Sequence, residues 1–143
     1  MTLISEKMHC AATLEKLNEL IEFVEECADR FGLETKKKFG LLVAVEEAFV
    51  NICSYAYPDA EGEAEVSCVT EGDAFVFEIA DSGSPFDVLS LPDPDTTLDI
   101  MDREIGGLGV YFIRRLTDDV SYRRENGRNI LRMALKRTQD GIP

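Results

Sequence analysis

Residues 35–57 constrain this chain more than any other segment, because they read as one long helix that is apolar around most of its circumference. A helix of that kind cannot lie on a surface, so other elements must cover it on several sides. Pro58 is expected to stop it, since a proline ring is incompatible with a continuing helix. At about 100° per residue, Glu47, Asn51 and Ser54 fall within roughly a 60° sector, with Gly40 and Ala44 inside or beside it. Glu46 points about 100° away. This narrow polar stripe, bordered by tiny side chains, has two readings. It is the wet side of the helix, or it lines a space for a ligand. On the second reading Glu47 is a candidate general base, and Asn51 offers a carbonyl oxygen suited to a hard cation such as Mg²⁺.

Shorter elements surround this helix. Residues 2–10 read as a first strand, and Thr13 as the N-cap of a helix in which Leu14, Leu17, Ile21, Val24, Ala28 and Phe31 recur at three- and four-residue spacing before Gly32. Residues 64–70 and 74–81 alternate as strands around Glu71-Gly72-Asp73, a hairpin pattern. From residue 84 to 105 the periodicity is lost, and three of the five prolines lie there, so this stretch is expected to be a functional or mobile loop. Gly106-Gly107-Leu108-Gly109 then opens a helix through Leu116, and strands over 119–124 and 130–136 flank Asn126-Gly127, a strong hairpin signal. The expected fold class is α+β, with helices covering one face of a largely antiparallel mixed sheet.

With 143 residues and 45% hydrophobic side chains the chain is expected to form a single folded domain. Its 28 acidic against 15 basic residues leave a net charge of −13. That balance argues against a phosphate backbone or an anionic membrane surface as partner, because both are bound through clustered Lys and Arg. Cys10, Cys27, Cys53 and Cys68 form no C-x-x-C pair, and the single His9 leaves little material for a zinc site. Unpaired thiols, with no basic-then-apolar segment at the N-terminus to read as a signal peptide, fit a reducing cytoplasm.

Two further constellations carry candidate chemistry. Phe75, Phe77 and Ile79 share one strand face, and the period of two places Asp81 on that same apolar face. A carboxylate there needs a donor. The amino group of an adenine is one, with Gly83 letting the backbone approach the ring closely; a turn capped by Asp81 is the plainer alternative. The glycines at 106–109 before a helix would suit a polyphosphate held by backbone amides, or form only a turn.

Taken in order, Glu-x-x-x-Asn on a helix, Asp-x-Gly at a strand end, a long loop, and Gly-Gly-x-Gly opening a helix resemble the GHKL superfamily of ATP-binding domains. The segments Val45 to Asn51, Ile79 to Phe86 and Gly106 to Tyr111 look most like the anti-sigma factor serine/threonine kinases. The resemblance implies a two-layer α/β sandwich, the Bergerat fold, over residues 1–143 with a lid at about 84–106. It implies that ATP and Mg²⁺ are the cofactors, with Glu47 as general base, Asn51 as the Mg²⁺ ligand and Asp81 on the adenine amino group near Gly83. Gly107 and Gly109 would line the phosphates, with Arg103 as a further phosphate contact. The substrate implied is a serine or threonine on a STAS-type antagonist protein, the second partner is a sigma factor or equivalent regulator, and the assembly is a homodimer. The chain departs from the family at two positions. Where the family often has Gly-Thr in the last hairpin, Gly127 is followed by Arg128 and Asn129, and the His that often lies four residues after the Asn is Tyr55. These departures keep open a nucleotide-gated binding switch without phosphotransfer. A ligand-free acidic interaction domain would have to treat all three motifs as coincidence.

Overall fold

The computed structural model describes residues 3–57, 61–90 and 107–137. In chain order the elements are β1 (Ser5–Ala11), α1 (Leu17–Phe31), α2 (Thr35–Asn51), β2 (Glu63–Glu71), β3 (Ala74–Asp81), α3 (Gly107–Leu116), β4 (Asp119–Glu125) and β5 (Arg128–Lys136). A 3₁₀ turn, Leu14–Lys16, leads into α1, and a π-helical turn, Ile52–Ala56, continues α2. The five strands form one sheet in the order β1-β2-β3-β5-β4, and all four pairings are antiparallel. Helices pack on one face, giving the expected two-layer α/β sandwich.

Local chemistry explains most of the boundaries. Thr13 is extended at the start of the 3₁₀ turn but makes no capping bond with its side chain. Gly32 ends α1 in the left-handed region at φ 86°, where its N–H reaches the carbonyls of Ala28 and Asp29, a conformation that a Cβ disfavours. Tyr57 has already left helical geometry at φ −127° and ψ 70°, as expected one residue before a proline. Asn126 (φ 53°) and Gly127 (φ 76°) are both left-handed, the requirement of a two-residue primed hairpin turn. That tight turn starts β5 at Arg128, two residues earlier than the alternation in the sequence places it.

The core lies between the helices and the inner face of the sheet. Phe31, Phe49, Phe75 and Phe77 are fully buried, with the Phe31 and Phe75 rings 5.6 Å apart. Burying a side chain of this size contributes roughly 1.5–3 kcal/mol. α2 packs against both α1 and α3, and Leu41, Ala44, Val45 and Phe49 are inaccessible to solvent. Thr35–Ala56 has the length and hydropathy of a membrane span, but its apolar character is that of a core helix packed on several sides. A Cβ on Gly40 would meet the side chain and carbonyl of Leu116. The C-terminus of α3 thus sits near the start of α2, and the two helices pack against each other.

Candidate functional site

A cleft opens between the end of α2 and the ends of the central strands. Asn51, Ile79, Asp81, Phe86, Tyr122 and Asn129 are among the residues that line it. Its empty space, counting the open solvent at its mouth, is about 460 Å³. Tyr55 and Phe86, both partly exposed, pair at the cleft with ring centroids 6.2 Å apart.

α2 brings Asn51 to this cleft and then changes character. After Asn51 the helix widens into its π turn, and single π turns inside α-helices often mark functional positions. The widening breaks the regular phase that groups Ser54 with Glu47 and Asn51. Ser54 is exposed, whereas Ile52, Tyr55 and Ala56 line the cleft. Asn51 Nδ2 is buried with no hydrogen-bond partner among the described residues, a costly state for an amide donor. No bond on that nitrogen fixes which way the amide faces, so its oxygen is available to a cation. Glu47, one turn earlier on α2, is half-buried. Burial pushes its carboxyl above the ordinary 4.5, and neighbouring Glu46 adds to the rise, the direction expected of a general base.

Asp81 ends β3 on the inner face, 5% exposed, in line with Phe75, Phe77 and Ile79. The turn-capping reading of it is realised. Its Oδ1 accepts from the Gly83 amide at 2.9 Å, capping the turn, and also from Asn129 Nδ2 at 2.9 Å. Its second oxygen has no partner among the described residues. The turn after Asp81 is held from two sides: the Tyr57 hydroxyl accepts from the Ser82 amide at 2.8 Å, and Arg124 Nη1 donates to the Gly83 carbonyl at 2.9 Å.

Gly83 has a different local duty from the one its spacing suggests. A Cβ there would lie 2.2 Å from the Ala56 carbonyl oxygen and 2.6 Å from the Ala56 side chain. The close approach that requires glycine is therefore to the end of the π turn, where the next residue, Ser84, donates to the same carbonyl at 3.0 Å. Gly107 and Gly109 lie in the first turn of α3. Arg103, Gly106 and residues 91–106 of the lid expected at about 84–106 lie outside the described residues.

The residue absent from the sequence-based site is Asn129. It stands opposite Asp81 in the β3–β5 ladder. The alternation of Leu131, Met133 and Leu135 on the inner face, carried one step further back, points to it. Starting the strand at Ile130 hid that signal.

Among the described residues no group of three or more His, Cys, Asp or Glu is placed to hold a metal ion. Asn51 could give a hard cation one oxygen ligand, and the rest of its shell would have to come from outside the described residues.

The chain matches the histidine kinase-like ATPase domain family over residues 10–135. It is similar to proteins named serine-protein kinase RsbW. The one from Oceanobacillus iheyensis is 33% identical over 107 residues, covering 70% of this chain and 66% of that protein. The one from Bacillus cereus strain G9842 is 29% identical over 108 residues, covering 73% of this chain and 68% of that protein. The family match runs from within β1 to within β5 and takes in the helix, the strand end and the hairpin that build the cleft, so the chain belongs to the histidine kinase-like ATPase domain family.

Proposed function

We propose that this chain is an ATP- and Mg²⁺-dependent serine/threonine protein kinase of the anti-sigma factor type, acting on a STAS-type antagonist and holding a sigma factor or equivalent regulator. The observation that carries this reading is one cleft lined by two polar side chains with capacity to spare. One is a buried Asp81 with one oxygen tied and the other without a partner, and the second is the buried, unpartnered amide of Asn51. Asp81 can accept from an amine, and the Asn51 amide, whose nitrogen no described residue holds, can turn its oxygen to a cation. ATP with Mg²⁺ offers both and, when bound, supplies the transferable phosphoryl group and the charge neutralisation that phosphoryl transfer needs.

In this reading Asp81 accepts from the exocyclic amine of the base, while Tyr55 and Phe86 shield the ring. Asn51 presents its oxygen to the cation, and the backbone amides at Gly107 and Gly109, where α3 begins, face the phosphates with the positive end of the helix dipole. Arg103, by the resemblance alone, would be a further phosphate contact. Glu47 orients the substrate hydroxyl and takes its proton, and the upward shift of its pKa makes it a stronger base for that step.

Calorimetry with ATP and GTP tests the nucleotide half. ATP should bind in a Mg²⁺-dependent manner, and GTP, which presents a carbonyl at that edge, should bind poorly. Equal affinities would rule out an amine-reading Asp81. Incubation with labelled ATP, Mg²⁺ and a STAS-type protein tests the transfer half. Label on a serine or threonine of that protein is expected. Tight ATP binding without transfer would leave the nucleotide-gated switch in its place.

A further inference from the structure

We infer that Asn129 is the positioning residue that makes Asp81 a reader of an amine, and so sets a preference for adenine over guanine nucleotides. The inference rests on the nucleotide reading above. Asn129 is 6% exposed, and its amide is fully committed. Nδ2 donates to Asp81 Oδ1 at 2.9 Å and to the Ser84 carbonyl at 2.9 Å. Oδ1 accepts from the Phe86 amide at 3.2 Å and from the Tyr122 hydroxyl at 2.6 Å.

This pattern fixes the orientation of the side chain. A flipped amide would set an oxygen against the Asp81 carboxylate and the Ser84 carbonyl, and an N–H₂ against the Phe86 N–H. Asn129 therefore always shows Asp81 a donor. With the Gly83 amide on the same oxygen, two donors pin Oδ1, and the carboxylate cannot rotate without losing both. Its other oxygen is left as a fixed acceptor in the cleft. A buried acceptor that cannot turn welcomes an amine and rejects a carbonyl, and sites built this way discriminate strongly because the wrong group leaves them unpaired. Through Phe86 the same amide also holds one of the two rings at the cleft. Asn129 touches the nucleotide site through Asp81 and Phe86, and its contribution is to geometry.

The test measures ATP and GTP affinities by calorimetry, with Mg²⁺, for the wild type, Asn129→Leu and Asn129→Asp, at pH 8, 6.5 and 5, with thermal melts of each. Asn129→Leu removes a hydrogen bond to a charged group, so ATP affinity should fall by about 10- to 100-fold and GTP affinity much less. Asn129→Asp sets two carboxylates side by side. Relative to the wild type at the same pH, its ATP affinity should be lowest at pH 8 and recover toward pH 5, where a shared proton restores a donor to Asp81. A purely structural role would not produce that pH profile. If Asn129→Leu fails to melt cooperatively, the Asn129→Asp profile decides. A wild type that binds ATP, with variants that keep its ATP-over-GTP preference or a flat Asn129→Asp profile, overturns the inference alone. A wild type that binds neither nucleotide overturns the nucleotide reading and this inference with it.

Discussion

Glu47 carries the clearest tension between stability and activity at the scale of single residues. Its carboxyl is raised above 4.5 by burial and by Glu46, so the folded chain holds that proton more tightly than the unfolded chain does. The sign follows from linkage: the ionised form opposes folding above the folded value, and the penalty disappears below 4.5. Glu47→Gln should therefore melt no lower than the wild type at pH 7, with the difference closing as pH falls through the folded value toward 4.5. The same variant should lose roughly 10²- to 10⁴-fold in phosphotransfer, the usual worth of a positioned base. Scanning calorimetry at several pH values, paired with single-turnover transfer, reads both effects. A variant that is less stable yet fully active would remove Glu47 from the proposed role. At this scale the sequence shows which residue types matter but not what surrounds them. Asp81 stands out by its alternation with Phe75, Phe77 and Ile79, whereas the partnership of Asn129 with Asp81 emerges only from the β3–β5 register.

Glycine positions separate two physical constraints at the scale of elements. Gly83→Ala would drive a Cβ into the Ala56 backbone at 2.2 Å, and neither segment can yield without moving the π turn or the strand end. A loss of about 1–3 kcal/mol is expected from such overpacking, with weakened nucleotide binding, because the Asp81 turn moves too. Gly32→Ala meets no atom within 4 Å but must adopt φ 86°, so it should cost about 1–2 kcal/mol and leave nucleotide affinity unchanged. Denaturant titration and calorimetry on the two variants distinguish them, and equal effects on binding would contradict the packing role of Gly83.

A second element-scale device joins the start of α2 to the last hairpin. Lys37 Nζ lies 2.9 Å from Asp118 Oδ2, and the same oxygen accepts from the Lys136 amide at 2.8 Å. Burial pushes the Asp118 carboxyl up, but the bonds from Lys37 and the Lys136 amide outweigh it and hold the group below 3.8. Its contribution to stability is complete above 3.8 and is lost as pH falls through the folded value. The stability difference between wild type and Asp118→Asn should accordingly be constant from pH 7 to about 5 and shrink below 3.8. A difference that does not change with pH would mean the pair contributes nothing through charge.

At the scale of the whole molecule the net charge of −13 governs encounters. Association with a basic partner segment should slow as ionic strength rises. The homodimer proposed from the family resemblance must form against like charge, so its contact is expected to be apolar at its centre and insensitive to added salt. Light scattering at low and high salt checks the dimer, and stopped-flow association checks the steering. A monomer at every salt concentration, or an on-rate that ignores salt, would contradict the respective half.

The sequence by itself determined the elements and most of their ends. Periodicity is a local property, and the signals that stop an element here, Gly32, the approach to Pro58 and Asn126-Gly127, act within a turn or two of themselves. It also determined that the long central helix had to be covered, because an apolar circumference admits no other arrangement. Only the tertiary structure decided what the site is made of. The π turn shifted the phase of α2 after Asn51 and sent Ser54 to solvent. The close packing of Gly83 on Ala56 is a contact between residues 27 positions apart. The pairing of Asp81 with Asn129 spans 48 positions. Contacts at such separations are set by strand register and helix packing, which depend on the whole chain folding at once and leave no mark in any local window of sequence.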